Sequence, residues 1–311
     1  MTRYGWDASN HDWPRGPMDL ARARSEGIAL FTHKSSEGST FVDSYFDNAM
    51  AKAKPVNFPV LGPYHVLWPN NPASQADFWF NTVNRIAPWW KDHPCWIWQI
   101  DAELFQEFQP YRKPTVTEIN ACGDRIKARS GCHSSQIVVY APEWLYGDAL
   151  GGLKYRNLWA SRYVGGSGGF KNLYPGDGAT LWRAYSGITP VVGQYASTAT
   201  IGGQSPADAN GIRVTSDAAL QALFLGDNVN MDLTDANLAE IADRSWSELI
   251  PNTLVTPTGS TFSAQVWLLK AVAYAHEAAD DAAAAKDDAA AALILAQATK
   301  DRAEANSVVL G

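Results

Sequence analysis

The chain has 311 residues, 46% of them hydrophobic and 18% charged, with a formal net charge of −7. That leaves room for one large barrel with an appendage or for two ordinary domains, and without clustered Lys and Arg it excludes a phosphate-binding surface and so nucleic acid as a partner. Cys95, Cys122 and Cys132, odd in number and irregular in spacing, argue against a disulfide framework or a zinc site; no run of about 18 uncharged apolar residues predicts a membrane span.

Met1-Thr2-Arg3-Tyr4 runs straight into a strand with no apolar signal core. Residues 3–6 read as that strand, with Asp7 at its end and a Ser9-Asn10-His11 loop beyond. A helix is expected over 17–27, a second strand over 29–34 ending in Ser36-Glu37-Gly38, and a helix over about 43–54. The third strand is 59–66. A helix at about 73–90 leads to the fourth, 96–103, which carries Asp101 and Glu103, and a helix over 115–130 leads to the fifth, 136–140. The pattern then shifts to three strand-like runs, 158–160, 181–185 and 191–195, joined by Gly-rich connections. Five β/α alternations argue for a parallel sheet, and eight strands for closure into a barrel. The expected fold is α/β, a modified TIM-like barrel of five βα units plus three further strands, followed by an α-helical C-terminal region.

After Gly226 the composition changes. Residues 233–250 read as one helix with Thr234 as N-cap, 251–259 as a Pro/Thr-rich linker, and 261–306 as Ala-rich helix. Alanine buries little area, so this helix is expected to pack on a partner, as a hairpin or a homo-oligomer. The domains are then 1–226, the barrel; 227–259, a short helix and linker; and 260–311, a helical region for oligomerisation or wall attachment.

The chemistry centres on Trp96-Ile97-Trp98-Gln99-Ile100-Asp101-Ala102-Glu103. Residues i and i+2 of a strand point the same way, so Asp101 and Glu103 project together, roughly 6–7 Å apart at Cα. Two carboxylates that close at the end of an apolar strand cannot both ionise freely; one pKa rises, which makes a proton donor near neutral pH. Paired carboxylates are the machinery of glycoside hydrolysis. Asp7, Lys34, Glu37, His65, Asp101, Glu103 and Gln194 all fall at C-terminal ends of predicted strands, the face where such barrels carry their sites. Lys34 and Glu37 fit an ion pair as well as a ligand contact, His65 fits a core position as well as the site, and Asp43 fits a helix N-cap. The remaining histidines lack metal-ligand spacing, no cofactor is implied, and no G-x-S-x-G elbow is present.

Several segments resemble family 25 glycoside hydrolases, the Chalaropsis-type lysozymes. Gly5-Trp6-Asp7-Ala8-Ser9 resembles the opening G-x-D-x-S, and Lys34-Ser35-Ser36-Glu37-Gly38 with Phe41 and Asp43 resembles K-x-[ST]-E-G-x-x-[YF]-x-D. Gly62-Pro63-Tyr64-His65 is similar to G-x-Y-H, Asp101-Ala102-Glu103 to D-x-E, Gln194-Tyr195-Ala196-Ser197 to Q-Y-x-S, and Ala207-Asp208-Ala209-Asn210 to V-D-x-N. Six segments in order cover about residues 3–225. The resemblance implies a flattened β/α barrel and cleavage of the β-1,4 bond between N-acetylmuramic acid and N-acetylglucosamine in peptidoglycan. It implies Glu103 as general acid and Asp101 as the group that orients the substrate 2-acetamido group, with a carboxylate nucleophile or a base for water left open. Asp7 and Asp208 would complete an acidic ring, and Tyr64, Gln194, Tyr195, Glu37, Lys34 and His65 would contact substrate. Gly193 stands where the family usually has Trp, which leaves Trp6 or another tryptophan to supply an aromatic wall.

With no signal core, the organisation suggests a bacteriophage endolysin made in the host cytoplasm and acting on the wall, with a leaderless bacterial enzyme as the alternative. Two rivals stand beside this: a barrel that binds glycan without cleaving it, as a virion or wall-associated protein, and a chitinase-like hydrolase. The second lacks the D-x-x-D-x-D-x-E run, since Trp96 and Trp98 occupy the upstream positions.

Overall fold

The computed structural model describes residues 2–16, 18–104 and 112–226. All of them lie within one compact unit, Met1–Met231. The expected helices at 233–250 and 261–306 and the linker between them lie outside the described residues. In chain order the elements are β1 (Arg3–Ala8), α1 (Leu20–Glu26), β2 (Ile28–Glu37), β3 (Phe41–Val42), α2 (Phe46–Ala53), β4 (Val60–Val66), α3 (Pro72–Ile86), β5 (Trp98–Asp101), α4 (Val116–Ser130) and β6 (Ile137–Tyr140). They continue with α5 (Glu143–Tyr146), β7 (Asn157–Ser161), β8 (Gly168–Gly169), α6 (Phe170–Leu173), β9 (Val192–Ile201), β10 (Gln204–Ile212) and α7 (Asp217–Leu225).

Eight of these strands close a barrel in the order β1-β2-β4-β5-β6-β7-β9-β10, and β10 returns to β1. Seven run parallel; β10 is antiparallel to both its neighbours. The closed α/β barrel with five βα units is the expected architecture. One of its last strands is not where the sequence pattern placed it. Residues 181–185 form no strand: Thr180–Trp182 is a single 3-10 turn, with Leu181 and Trp182 buried. The eighth strand is β10, whose Pro206, Gly211, Asp208 and Asn210 disfavour a strand locally. Pairing on both edges overrides that weak propensity.

Three of the helices, α1, α4 and α7, begin at side-chain caps. Thr115 and Glu118 form a reciprocal capping box at α4, and Gly131 ends it in the left-handed region. Asp19 and Ser216 cap α1 and α7 through side-chain oxygens. No described helix is long and apolar enough to cross a membrane.

Strand alternation sorts the buried residues into two cores. Trp6, Phe31, Leu61, Trp98, Ile100, Val139 and Leu158 pack outward against the helix layer. Leu30, Val60, Ile97, Val138, Trp159, Val192 and Ile212 form the second core together with Leu220 and Phe224 of α7. α7 therefore plugs one end of the barrel. Its Asp217 bridges Arg3 and Arg24, its Gln221 donates to the Pro59 carbonyl, and the Phe224 carbonyl accepts from Ser135. Arg3, Pro59 and Ser135 stand at or just before the starts of β1, β4 and β6, so the plugged end is the N-terminal one. The three cysteines are free and buried, and burial pushes the Cys95 thiol up to about 12.

Gly62 marks a close approach between strands. A Cβ there would sit 2.2 Å from the Ile97 carbonyl oxygen. Gly62→Ala is expected to lose about 1–3 kcal/mol of stability through overpacking, seen as a lower urea midpoint at unchanged slope. An unchanged midpoint would mean the β4–β5 seam yields freely.

Candidate active site

The same alternation builds the site. Counting in twos from the interior core residues leads to the open end of the barrel: Val60 to Tyr64, Ile97 to Asp101, Val138 to Tyr140, Val192 to Gln194, and back from Ile212 to Asn210 and Asp208. Asp7 lies directly opposite Asp208 in the β1–β10 register. Asp101, at the end of β5, pairs in register with Val66 and Tyr140, and Glu103 follows two residues on. The barrel mouth thus gathers Asp7, Asp101, Glu103 and Asp208, the acidic ring that the resemblance implies.

Burial and mutual repulsion hold these carboxyls toward their protonated forms. Asp101 is 8% exposed, and its Oδ1 has no hydrogen-bond partner among the described residues. Burial and then the neighbouring Glu103 push its pKa well above the ordinary range, with Lys34 pulling the other way. Glu103 is raised by burial and by Asp7, against the Tyr140 hydroxyl, which favours the carboxylate. Asp208 is raised well above normal by burial and by Asp7 and Asp12. Asp7 is raised to about 6 by burial, although Asn210 and Gln194 stabilise its ionised form.

A hydrogen-bond network fixes Asp7. The Asn210 amide donates to Asp7 Oδ1 at 2.6 Å, and the Gln194 amide reaches both carboxylate oxygens at 3.1 and 3.2 Å. The Trp159 indole donates to Asn210 Oδ1 at 2.9 Å. An indole N–H can only donate, so the Asn210 amide must present its NH2 to Asp7. Gln194 Oε1 accepts from Tyr140 at 3.1 Å and Tyr163 at 2.8 Å. Tyr140, Trp159 and Tyr163 escape a search for charged residues at strand ends. The signal for Tyr140 was its place two residues after Val138, on the same face.

Other expected contacts are placed differently. Lys34 and Glu37 form an ion pair, and Glu37 also accepts from the Trp68 indole at 3.0 Å. Tyr64 is half-buried in the mouth, near enough to Asp101 and Asp7 that they add to burial in raising its pKa. Trp6, His65 and Tyr195 have the opposite strand parity and are fully buried. Trp6 packs on Phe31, His65 stacks on Trp79 of α3, and the Tyr195 hydroxyl donates to the Phe170 carbonyl. Burial lowers the His65 pKa to about 3, which leaves it neutral. A side chain at Gly193 would also point outward, 2.7 Å from Leu181, so Trp6 and position 193 supply no wall to the mouth. Asp43 accepts from the backbone of Tyr45 and Asn10, tying the β1 loop to the start of α2.

A β/α barrel with a polyacid mouth is the class that fold and site define. The model of Glycosyl hydrolases family 25 matches residues 7–188, and the chain belongs to that family. The autolytic lysozyme of Clostridium acetobutylicum is 30% identical over 73 residues, which span 24% of this chain and 22% of that relative's length. Among solved structures, the bacterial lysozyme of Streptomyces coelicolor aligns with a TM-score of 0.56 at 21% identity, covering 72% of this chain and 97% of its own. A family 25 lysozyme from Aspergillus fumigatus gives 0.56 at 17% identity over 73% of this chain and 100% of its own. The catalytic domain of a bacteriophage endolysin of Listeria monocytogenes gives 0.51 at 19% identity over 70% and 95%.

Proposed function

We propose that the protein is a muramidase that cleaves the β-1,4 bond between N-acetylmuramic acid and N-acetylglucosamine in peptidoglycan, in the role of a bacteriophage endolysin. The observation that carries the reading is the gathering of Asp101, Glu103, Asp7 and Asp208 close enough to raise one another toward the protonated form. Glu103 donates its proton to the glycosidic oxygen as that bond breaks. Asp101 holds the substrate acetamido N–H through its unpartnered Oδ1, so that the acetamido carbonyl oxygen attacks the anomeric carbon from the other face. Water then opens the cyclic intermediate and yields its proton to the Glu103 carboxylate, which restores the acid. Support for the endolysin role comes from family membership and the shared fold with the Listeria phage domain.

The test is the chemistry of the new ends. Purified peptidoglycan is digested, reduced with borohydride and analysed by mass spectrometry. Reduced muramic acid at the new ends is the expected result. Reduced glucosamine at those ends would refute the bond assignment. Binding to several wall types with no new ends would favour the glycan-binding reading, and faster cleavage of chitin oligomers would favour the chitinase-like one.

A further inference from the structure

Three large apolar side chains are exposed among the described residues: Phe41, Trp144 and Tyr163, the last at 56%. Phe41 lies under the Lys34 ammonium at 5.2 Å. Of the three, only Tyr163 has a hydrogen bond into the carboxylate cluster, through Gln194. Its place follows from β7: Trp159 points into the barrel, so Ser161 and Tyr163 share that direction as the chain rises past the strand end. The backbone is still held to β9 there, through Arg162 N–H to the Gln194 carbonyl and Val164 N–H to the Tyr195 carbonyl, at 2.9 and 2.7 Å. The segment that follows, Val164-Gly165-Gly166-Ser167-Gly168, has few side chains to lay over the ring. A Cβ at Gly165 or Gly168 would meet nothing within 4 Å.

We infer that Tyr163 is a saccharide-stacking platform at the barrel mouth, with its ring face open for the apolar face of an N-acetylhexosamine. The inference rests on the muramidase reading and adds a binding residue to it. The phenol is anchored at its polar end, so the ring is already oriented when sugar arrives and little rotamer freedom remains to be lost. Aromatic rings suit this task because they offer a large flat face at low conformational cost. The anchor also ties the platform to Asp7, since the Gln194 amide that accepts from Tyr163 donates to Asp7. A sugar that moves the ring therefore loads the network that holds the acid.

The experiment separates stacking from anchoring. In a Glu103→Gln background, binding of soluble N-acetylglucosamine oligomers and of solubilised glycan strands is measured by calorimetry for Tyr163, Tyr163→Phe and Tyr163→Ala. Tyr163→Ala is expected to weaken binding about 5- to 10-fold, the size of an aromatic contact of about 1 kcal/mol or slightly more. Tyr163→Phe keeps most of the affinity. In the active enzyme Tyr163→Ala raises KM by a similar factor, while Tyr163→Phe acts mainly on kcat by releasing Gln194. Equal affinity for Tyr163 and Tyr163→Ala, with circular dichroism showing both folded, overturns the platform. If the parent protein cleaves no wall at all, the failure lies with the muramidase reading, and the binding comparison still decides the platform.

Discussion

Glu103→Gln is expected to lower wall hydrolysis by about 10²- to 10⁴-fold, the range of a positioned general acid, while leaving glycan binding intact. Glutamine keeps the shape and a hydrogen-bonding group but carries no transferable proton. The acid must hold its proton near neutral pH, and burial together with Asp7 raises the Glu103 pKa for that purpose. The rate should fall on the alkaline side as this proton is lost, and Glu103→Gln should flatten that limb in whatever activity remains. Residual activity within a few-fold of the parent would remove Glu103 from the acid role. Loss of binding together with activity would instead point to damage at the mouth.

A second large effect is expected on stability. A carboxyl whose folded pKa lies above its unfolded value binds its proton more tightly in the native state, so stability falls as pH rises through that interval. For Asp7 the interval runs from 3.8 to about 6, worth about 3 kcal/mol at 1.36 kcal/mol per unit. Asp101, Glu103 and Asp208 act in the same direction. Glu118 works the opposite way: Arg112 holds its pKa at about 2, so its contribution is present above 4.5 and lost as pH falls toward 2. Because the aspartate losses begin at 3.8, stability should peak near pH 4 and decline on both sides. Asp208→Asn removes one of the repelling charges and should raise Tm at pH 8 by about 2–4 °C for each kcal/mol relieved, with no gain at pH 4. A thermal melt series over pH 3–8 reads both. A gain at pH 4 equal to that at pH 8 would show that repulsion is not its source.

Most of the barrel was legible because most of its strands have an apolar centre of aliphatic or aromatic residues and are separated by helices or Gly-rich turns. β10 was not, because Gln204–Ile212 carries Pro, Gly, Asp and Asn and becomes a strand only between two neighbours that need it. The buried turn Thr180–Trp182 shows the reverse error: Leu181 and Trp182 look like strand residues, but Leu181 fills the space outside Gly193 and Trp182 lies against Gly211. At the site, Asp7, Asp101 and Glu103 could be found from their places at strand ends, whereas Asp208, within β10, was reached only through the resemblance to V-D-x-N. Their supports required parity as well. Adjacent residues on a strand cannot share a face, so Asp7, Tyr64 and Gln194 in the mouth put Trp6, His65 and Tyr195 in the outer layer. The same count in twos, taken from Val138 and Asp208, leads to Tyr140 and Asn210, which bear on Glu103 and Asp7.

The reversed direction of β10 also decides where the described chain leaves the barrel. Asp208 enters at the mouth, Ile212 is already opposite Arg3, and α7 then closes the far end. A dye, bead or surface anchor coupled at Gly226 would therefore hold the molecule by its plugged base, with the open mouth turned toward an incoming polymer.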